Sequence, residues 1–204
     1  MLGLINKSVQ CFLRETYGAP LWARVAARAG LGRDCFEPLL HYDDAITEGI
    51  IAAALAELGK TREVLLEDLG TFLASREVLR RLLRFGGGDY LDFLLSLEEL
   101  RGRGRLTLPD LDLPGLVLRD TGGGHFMLML DTQTQDWTPV FAGLLRAMAD
   151  DYGALVLIET VAEGVAGGGQ IAISLMEARY AAGRSFDLAA PPTMRAHTAG
   201  GGRA

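Results

Sequence analysis

Few of the residues that usually do chemistry lie in a catalytic or metal-binding pattern in this chain. The segment Gly59-Lys60-Thr61 matches the end of a phosphate-binding loop, but the glycine needed five residues earlier is replaced by Ala54. The segment also ends a predicted helix, whereas a phosphate-binding loop follows a strand. The three histidines, His41, His125 and His197, are not spaced with cysteine or acidic residues as metal-binding pairs. We therefore expect neither a phosphate site nor a metal site from these residues.

The sequence indicates neither nucleotide binding nor nucleophilic catalysis. The glycine triplets at 86–88, 122–124 and 167–169 lack the spacing and the strand–helix setting of a dinucleotide-binding loop, so we interpret them as turns. No serine, cysteine or histidine has neighbours in the sequence that indicate an activated nucleophile. The chain is therefore predicted not to be an enzyme.

Arginine is concentrated in the middle of the chain. The cluster comprises Arg76, Arg80, Arg81, Arg84, Arg101, Arg103 and Arg105. The acidic residues interleaved with it are Glu77, Asp89, Asp92, Glu98 and Glu99. Because these charges largely neutralise one another, we interpret the cluster as a paired, solvated face. Docking to an acidic partner is the alternative.

The elements that would position these residues divide into a helical first half and a mixed second half. Apolar residues at helical spacing predict helices over 3–17, around Trp22, from Asp43–Asp44 to Gly59, over 61–72, and after Val78. Apolar residues surround most of the segment 89–100, as in a centrally buried helix, and the next residues, RGRGR, contain glycines that weaken a helix.

After Pro114 the apolar period changes to two. Strands are predicted over 116–119, 126–130, 155–161 and 170–176, with one helix over about 138–152 between the second and third. The fold class is therefore α+β, with an N-terminal helical subdomain followed by a four-stranded antiparallel sheet and a packed helix. We expect one domain over residues 1–188 and a disordered tail over 189–204.

Length and composition are those of an ordinary globular domain. The chain has 204 residues, of which 49% are hydrophobic and 23% charged. Its formal charge of −6 argues against a general nucleic-acid binder, and no apolar run reaches the ~18–20 residues of a membrane span. Two cysteines, Cys11 and Cys35, and the lack of an evident secretory signal favour a cytoplasmic location.

Several segments carry a resemblance to a known family. They are the opening MLGLINKSVQCFLRETYG, Tyr42-Asp43-Asp44, Leu97-Glu98-Glu99-Leu100 followed by Pro109 and Pro114, and the helix over 139–153. In this order they resemble the haem nitric-oxide/oxygen-binding (H-NOX) domain, which includes the regulatory domain of soluble guanylate cyclase. The resemblance covers about residues 1–178. It implies a distal helical subdomain over about 1–60, proximal helices and a sheet over 61–188, a bound haem, and a partner such as a histidine kinase or cyclase.

The residues that hold haem in that family are replaced here. The axial histidine position falls on Arg101, and a guanidinium stays protonated and has no lone pair for iron. The Y-x-S-x-R motif that binds the propionates falls on Leu130, Thr132 and Thr134. Losing the metal bond and the charge-assisted pairs weakens the free energy of haem binding by several kcal/mol. We therefore expect the family fold without stable haem. An alternative iron ligand such as His41 or His125 would have to lie in the right place, and nothing in the spacing indicates that either does.

The positions that surround the haem in the family remain apolar. They are Ile5, Val9, Leu73, Phe93, Leu97, Pro114, Val140, Phe141 and Leu144. Because an empty cavity of that size would weaken the core, we hypothesise an apolar ligand with an acidic head, such as a fatty acid or a tetrapyrrole, held by Arg101. The alternative is that side chains fill the space and Arg101 turns to solvent, Glu98 or Glu99.

These observations leave three functions open. The first is a regulatory sensor or adaptor that signals to a separate protein, a histidine kinase or cyclase by resemblance. The second is a working haem sensor of nitric oxide with non-standard ligation. The third is a protein-interaction module that has kept the fold and lost its ligand.

Overall fold

The computed structural model describes residues 2–32, 36–107, 110, 113–131, 137–161 and 168–184. Its helices are α1 (Gly3–Tyr17), α2 (Ala19–Arg28), α3 (Asp44–Leu58), α4 (Arg62–Ala74), α5 (Glu77–Arg84), α6 (Tyr90–Leu95), α7 (Leu100–Thr107) and α8 (Trp137–Tyr152), with a 3₁₀ turn at Ser96–Glu99. Its strands are β1 (Gly115–Gly122), β2 (His125–Asp131), β3 (Leu155–Val161) and β4 (Gly169–Glu177). The predicted α+β class is confirmed.

Polar side chains cap the starts of α3 and α4. Asp43 Oδ1 accepts the backbone N–H of Ala45 at 2.9 Å and so caps α3. Gly59 ends α3 in the left-handed conformation, with φ of 64°, which favours glycine. Thr61 Oγ1 accepts the N–H of Val64 at 3.4 Å at the start of α4. These caps fix the turn between α3 and α4.

The buried segment before residue 100 differs from its prediction. One continuous helix over 89–100 was expected, but α6 ends at Leu95 and the 3₁₀ turn separates it from α7. Helix α7 then continues through the sequence RGRGR, although two glycines there disfavour a helix by about 1 kcal/mol each. Arg103 Nη2 donates to the Ser96 carbonyl oxygen at 3.0 Å, and Gly104 packs closely against Leu113. Tertiary contacts thus outweigh local propensity in this segment.

The four strands form one antiparallel sheet in the order β1-β2-β4-β3. Alternate residues of each strand face the helices, for example Leu128, Ile171 and Ile158, which are buried. The outward N–H of Leu118 on edge strand β1 donates to Glu98 Oε1 at 3.0 Å, and Arg146 Nη2 donates to the Ile158 carbonyl oxygen of edge strand β3 at 2.7 Å. Side chains therefore cover part of both sheet edges.

Two hydrophobic cores lie on either side of the pair α4 and α8. The distal core joins α1, α2, α3 and the apolar face of α4, and the proximal core joins α5–α8 with the inner face of the sheet. The two helices cross at Gly70 and Gly143, where a Cβ atom would overlap the carbonyl oxygens of Val140 and Glu67 respectively. Only glycine permits this backbone contact, which connects the two cores.

Candidate functional site

The residue at the axial position, Arg101, lies in the first turn of α7 and is half-buried. Its Nη1 lies 3.6 Å from the position that a Cβ atom would take on Gly115, at the start of β1. Asp131 Oδ2, at the end of β2, lies 3.7 Å from the same point. The guanidinium and this carboxylate therefore converge on Gly115. Asp131 thus places a negative charge near the residue at the axial position.

Glu98, which was one expected partner of Arg101, has a different contact. Its Oε1 accepts the N–H of Leu118 on β1. The carboxylate therefore holds the 3₁₀ turn against the edge of the sheet and positions the start of α7. Which way Arg101 points could not be read from the sequence, because Gly115 and Asp131 approach it only in the folded chain.

The residues at the propionate-binding positions fall partly outside the described chain. Leu130 is 2% exposed and belongs to the proximal core, so an apolar side chain stands where the family has a phenol. Thr132 and Thr134 lie outside the described residues, as do Cys35, His197 and the predicted tail. Leu130 has no side-chain hydrogen-bonding group for a propionate.

The predicted pocket wall is distributed between the two cores. Phe93, Leu97, Phe141 and Leu144 are buried in the proximal core, whereas Val9 and Val140 are buried in the distal core. Leu73 packs against the distal core, Pro114 is buried and Ile5 is half-buried. These positions therefore line both sides of the α4–α8 crossing, and their role as a ligand wall stays a prediction.

Aromatic contacts fix the centre of the proximal core. The ring centroids of Phe93 and Tyr152 are 5.8 Å apart, and those of Phe93 and Tyr90 are 5.6 Å apart. The Tyr90 hydroxyl donates to the Leu145 carbonyl oxygen at 3.1 Å. Burial raises the pKa of this phenol well above its ordinary value, so Tyr90 stays neutral and acts as a packing residue rather than as an acid or base.

A charged cluster that the sequence analysis did not find lies between α5 and α8. Asp151 is 3% exposed, and its two oxygens meet Arg80 Nε at 2.8 Å and Arg84 Nε at 3.1 Å. The Arg84 guanidinium also lies 4.0 Å from the centroid of the Tyr152 ring. Asp151 follows Met148 by three residues on the apolar face of α8, which is the sequence signal for its burial.

This cluster revises our interpretation of the arginine-rich face. Arg80 and Arg84, with side chains 15% and 12% exposed, contact a buried carboxylate distant in sequence rather than solvent. Arg81 does pair with Glu77 at 2.8 Å as expected, and Arg76 pairs with Glu15 of α1. Asp89 and Asp92 instead serve the start of α6, where Asp89 Oδ1 accepts the Asp92 N–H. Much of the cluster therefore holds helices together.

The histidines of the described chain are both exposed. His41 forms an isolated bridge with Leu2, and His125 Nδ1 lies 2.9 Å from Ser174 Oγ at the start of β2. Within the part of the chain that the structure describes, no group of three histidine, cysteine, aspartate or glutamate side chains is arranged to hold a metal ion. Neither histidine belongs to the two hydrophobic cores.

The side chains at the expected haem contacts do not match what haem requires. A protonated guanidinium cannot ligate iron, Leu130 cannot bind a propionate, and the Asp131 carboxylate would repel one.

Comparison with known proteins shows the family. The haem-NO-binding family model matches residues 2–160, which is most of the chain. The chain belongs to this family. Its sheet, helices and order of elements are those of the H-NOX fold.

Two animal guanylate cyclases illustrate the sequence similarity. Soluble guanylate cyclase 89Db of Drosophila melanogaster is 21% identical over 166 residues, covering 80% of this chain and 25% of that protein. Soluble guanylate cyclase gcy-31 of Caenorhabditis elegans is 28% identical over 118 residues, covering 56% of this chain and 17% of that protein. The chain spans a quarter or less of the length of these relatives. Among the described residues, none of the helices combines the length and the hydropathy of a transmembrane segment.

Solved structures share the fold at low identity. A Cs H-NOX mutant with 4-cyano-L-phenylalanine at site 5 has a TM-score of 0.74 and 17% identity, and the match covers 89% of this chain and 100% of that one. An Fe(II) unliganded H-NOX mutant from K. algicida has a TM-score of 0.71 and 14% identity, covering 87% and 97%. At such identity the comparison establishes the fold alone.

Proposed function

We propose that this chain is an H-NOX regulatory domain that works without stably bound haem and acts on a separate partner protein. The observation that carries the proposal is Arg101 at the axial position, converging with Asp131 on Gly115. The partner would be a signalling protein such as a histidine kinase or cyclase, in keeping with the family. We propose no catalysis by the domain itself, and its cytoplasmic location stays a prediction.

The charges at the site support loss of haem. In a half-buried site a guanidinium would repel the iron cation and supply no lone pair, while Asp131 would repel the propionates. Without the axial bond the protein lacks the contact that holds haem iron in this family. Nitric oxide would therefore not be sensed through an iron in this domain.

The ligand part of the proposal is an apolar molecule with an acidic head, a fatty acid or a tetrapyrrole, held by Arg101. Its support is the apolar character of the predicted wall, which includes Phe93 and Leu97. Asp131 competes with an acidic head for the guanidinium, so the affinity is expected to depend on both residues. Phe93 and Leu97 are fully buried by other side chains of the proximal core, and this packing supports a second function, a ligand-free interaction module.

A palmitate-binding experiment distinguishes the ligand-binding domain from the ligand-free interaction module. If the acid-headed ligand is correct, native mass spectrometry will show one palmitate per chain, and Arg101→Leu will weaken binding at least about tenfold by removing a charge-assisted contact. Asp131→Asn will strengthen binding, because the competing carboxylate is removed. Arg105→Leu on the exposed side of α7 is the matched control and is expected to bind like the natural chain.

Absence of ligand binding would also distinguish the two functions. Purified protein that carries no small molecule and does not bind palmitate or a metal-free porphyrin rejects the ligand part. It leaves the haem-free interaction module as the function.

A further inference from the structure

The outer face of the sheet, opposite the helices, presents apolar side chains to solvent. Val117, Leu157 and Val161 are each at least 39% exposed, and Met127 and Met129 between them are half-buried. The described helices pack on the other face, where Leu128, Ile171 and Ile173 are buried. A sheet face with this much apolar surface is typical of an interaction site.

Strand register arranges the outer face in three rows across the sheet. The central row runs Arg119, Met127, Ala172, Glu159 from β1 to β3. The row on one side of it runs Val117, Met129, Gln170, Val161, and the row on the other side runs Gly122, His125, Ser174, Leu157. Each row therefore begins on one edge strand and ends on the other.

The two charges of the central row lie at its opposite ends. Arg119 and Glu159 are both exposed, and three strand spacings place them about 14 Å apart, too far to pair within one chain. Neither side chain makes an ion pair or a hydrogen bond with the rest of the described structure. One face thus carries two complementary charges that cannot meet each other.

We propose that this face binds the same face of a second copy of the chain, about a two-fold axis parallel to the strands. This operation places β1 over the partner's β3 and β2 over the partner's β4, with each row over itself in reverse order. Arg119 then faces the partner subunit's Glu159, and the symmetric pair forms at the other edge. The charge pattern is self-complementary in this arrangement.

The uncharged positions fit the same arrangement. Met127 would face the partner's Ala172, so that a long flexible side chain meets a small one. Leu157 would face the partner's Gly122, which has no side chain, and Val117 would face the partner's Val161. Two of these three facing pairs match a large side chain with a small residue, which suits the close packing of two sheets about 10 Å apart.

The charges also favour a two-fold axis parallel to the strands over one perpendicular to them. A two-fold axis perpendicular to the strands would place β1 over β1, and Arg119 over the partner's Arg119, which is repulsive. The face measures about 19 by 23 Å, from four strands at about 4.8 Å and seven residues at about 3.3 Å. This is at the small end of specific interfaces, so the dimer is expected to be weak and to depend on protein concentration and salt.

Charge reversal tests the proposal by sedimentation velocity over protein concentrations up to about 1 mM. The natural chain is expected to dimerise, whereas Arg119→Glu and Glu159→Arg are each expected to weaken dimerisation at least about 100-fold, because two attractive contacts become repulsive. An equimolar mixture of the two variants is expected to form a heterodimer, since every facing pair is then complementary. Circular dichroism checks that both variants fold.

The mixture gives a result that a folding defect cannot imitate. Arg105→Glu and Asp150→Arg, at exposed positions on α7 and α8, change the net charge equally and are expected to leave the dimer intact. A natural chain that stays monomeric at about 1 mM overturns the proposal. So does a dimer that persists in both single variants, or a mixture in which the two variants fail to associate.

Discussion

Replacing Asp151 with alanine is expected to lower the free energy of unfolding by about 3–5 kcal/mol. The substitution leaves Arg80 and Arg84 without the carboxylate that both contact, in a place where their side chains are largely shielded from water. Removal of one member of a buried charge cluster costs more than the cluster contributes, because the remaining charges are left uncompensated. Urea denaturation followed by circular dichroism measures the change.

The neighbouring residue provides the control for this prediction. Asp150 is exposed, carries the same charge and lies in the same last turn of α8, so Asp150→Ala is expected to change stability by less than about 0.5 kcal/mol. Hydrogen exchange of the Arg184 amide adds a local measurement. This N–H donates to the Asp151 carbonyl oxygen, and Arg84 donates to the Arg184 carbonyl oxygen. Equal free energies of unfolding for Asp151→Ala and Asp150→Ala would show that the Asp151 cluster does not stabilise the fold.

Phe93→Ala is expected to destabilise the domain by about 3–5 kcal/mol, through lost apolar burial and the cavity left behind. Phe93 is fully buried between Tyr90 and Tyr152 and belongs to the predicted ligand wall. Phe85 is 71% exposed at the end of α5, so Phe85→Ala removes the same atoms with an expected cost below about 0.5 kcal/mol. Denaturant titration of both variants gives the comparison.

The stability of Phe93→Ala also tests whether a ligand binds beside this ring. If the space beside Phe93 is occupied by bound ligand, adding palmitate should restore part of the stability of Phe93→Ala, because a ligand that binds only the folded state stabilises it. A Phe93→Ala variant as stable as the natural chain would mean that the proximal core does not depend on this ring, contrary to the packing described above.

Local signals in the sequence predicted much of the fold. Capping by Asp43, the left-handed Gly59 and the period-two strands each depend on a few neighbouring residues, and the structure has them where expected. The course of α7 through RGRGR was not predictable in the same way, because contacts with Ser96 and Leu113 decide it. Propensity is a weak guide where tertiary contacts compete with it.

The candidate site was predictable in its residue types and not in its geometry. Arg101 and Leu130 at the expected haem contacts follow from the sequence alone, and they suffice to question haem binding. The convergence of Arg101 and Asp131 on Gly115 joins a helix to two strands, and so depends on how these elements pack. The burial of Asp151 is not predicted from the sequence, because charged residues are rarely fully buried.

The absorption spectrum of the chain after expression with a haem precursor tests the absence of stable haem most directly. We expect no stoichiometric Soret band after gel filtration, and more retained haem in Arg101→His, which restores a neutral imidazole at the axial position. A sharp Soret band with one haem per natural chain, unchanged in Arg101→Leu, would contradict the account and identify a haem protein with a different ligand.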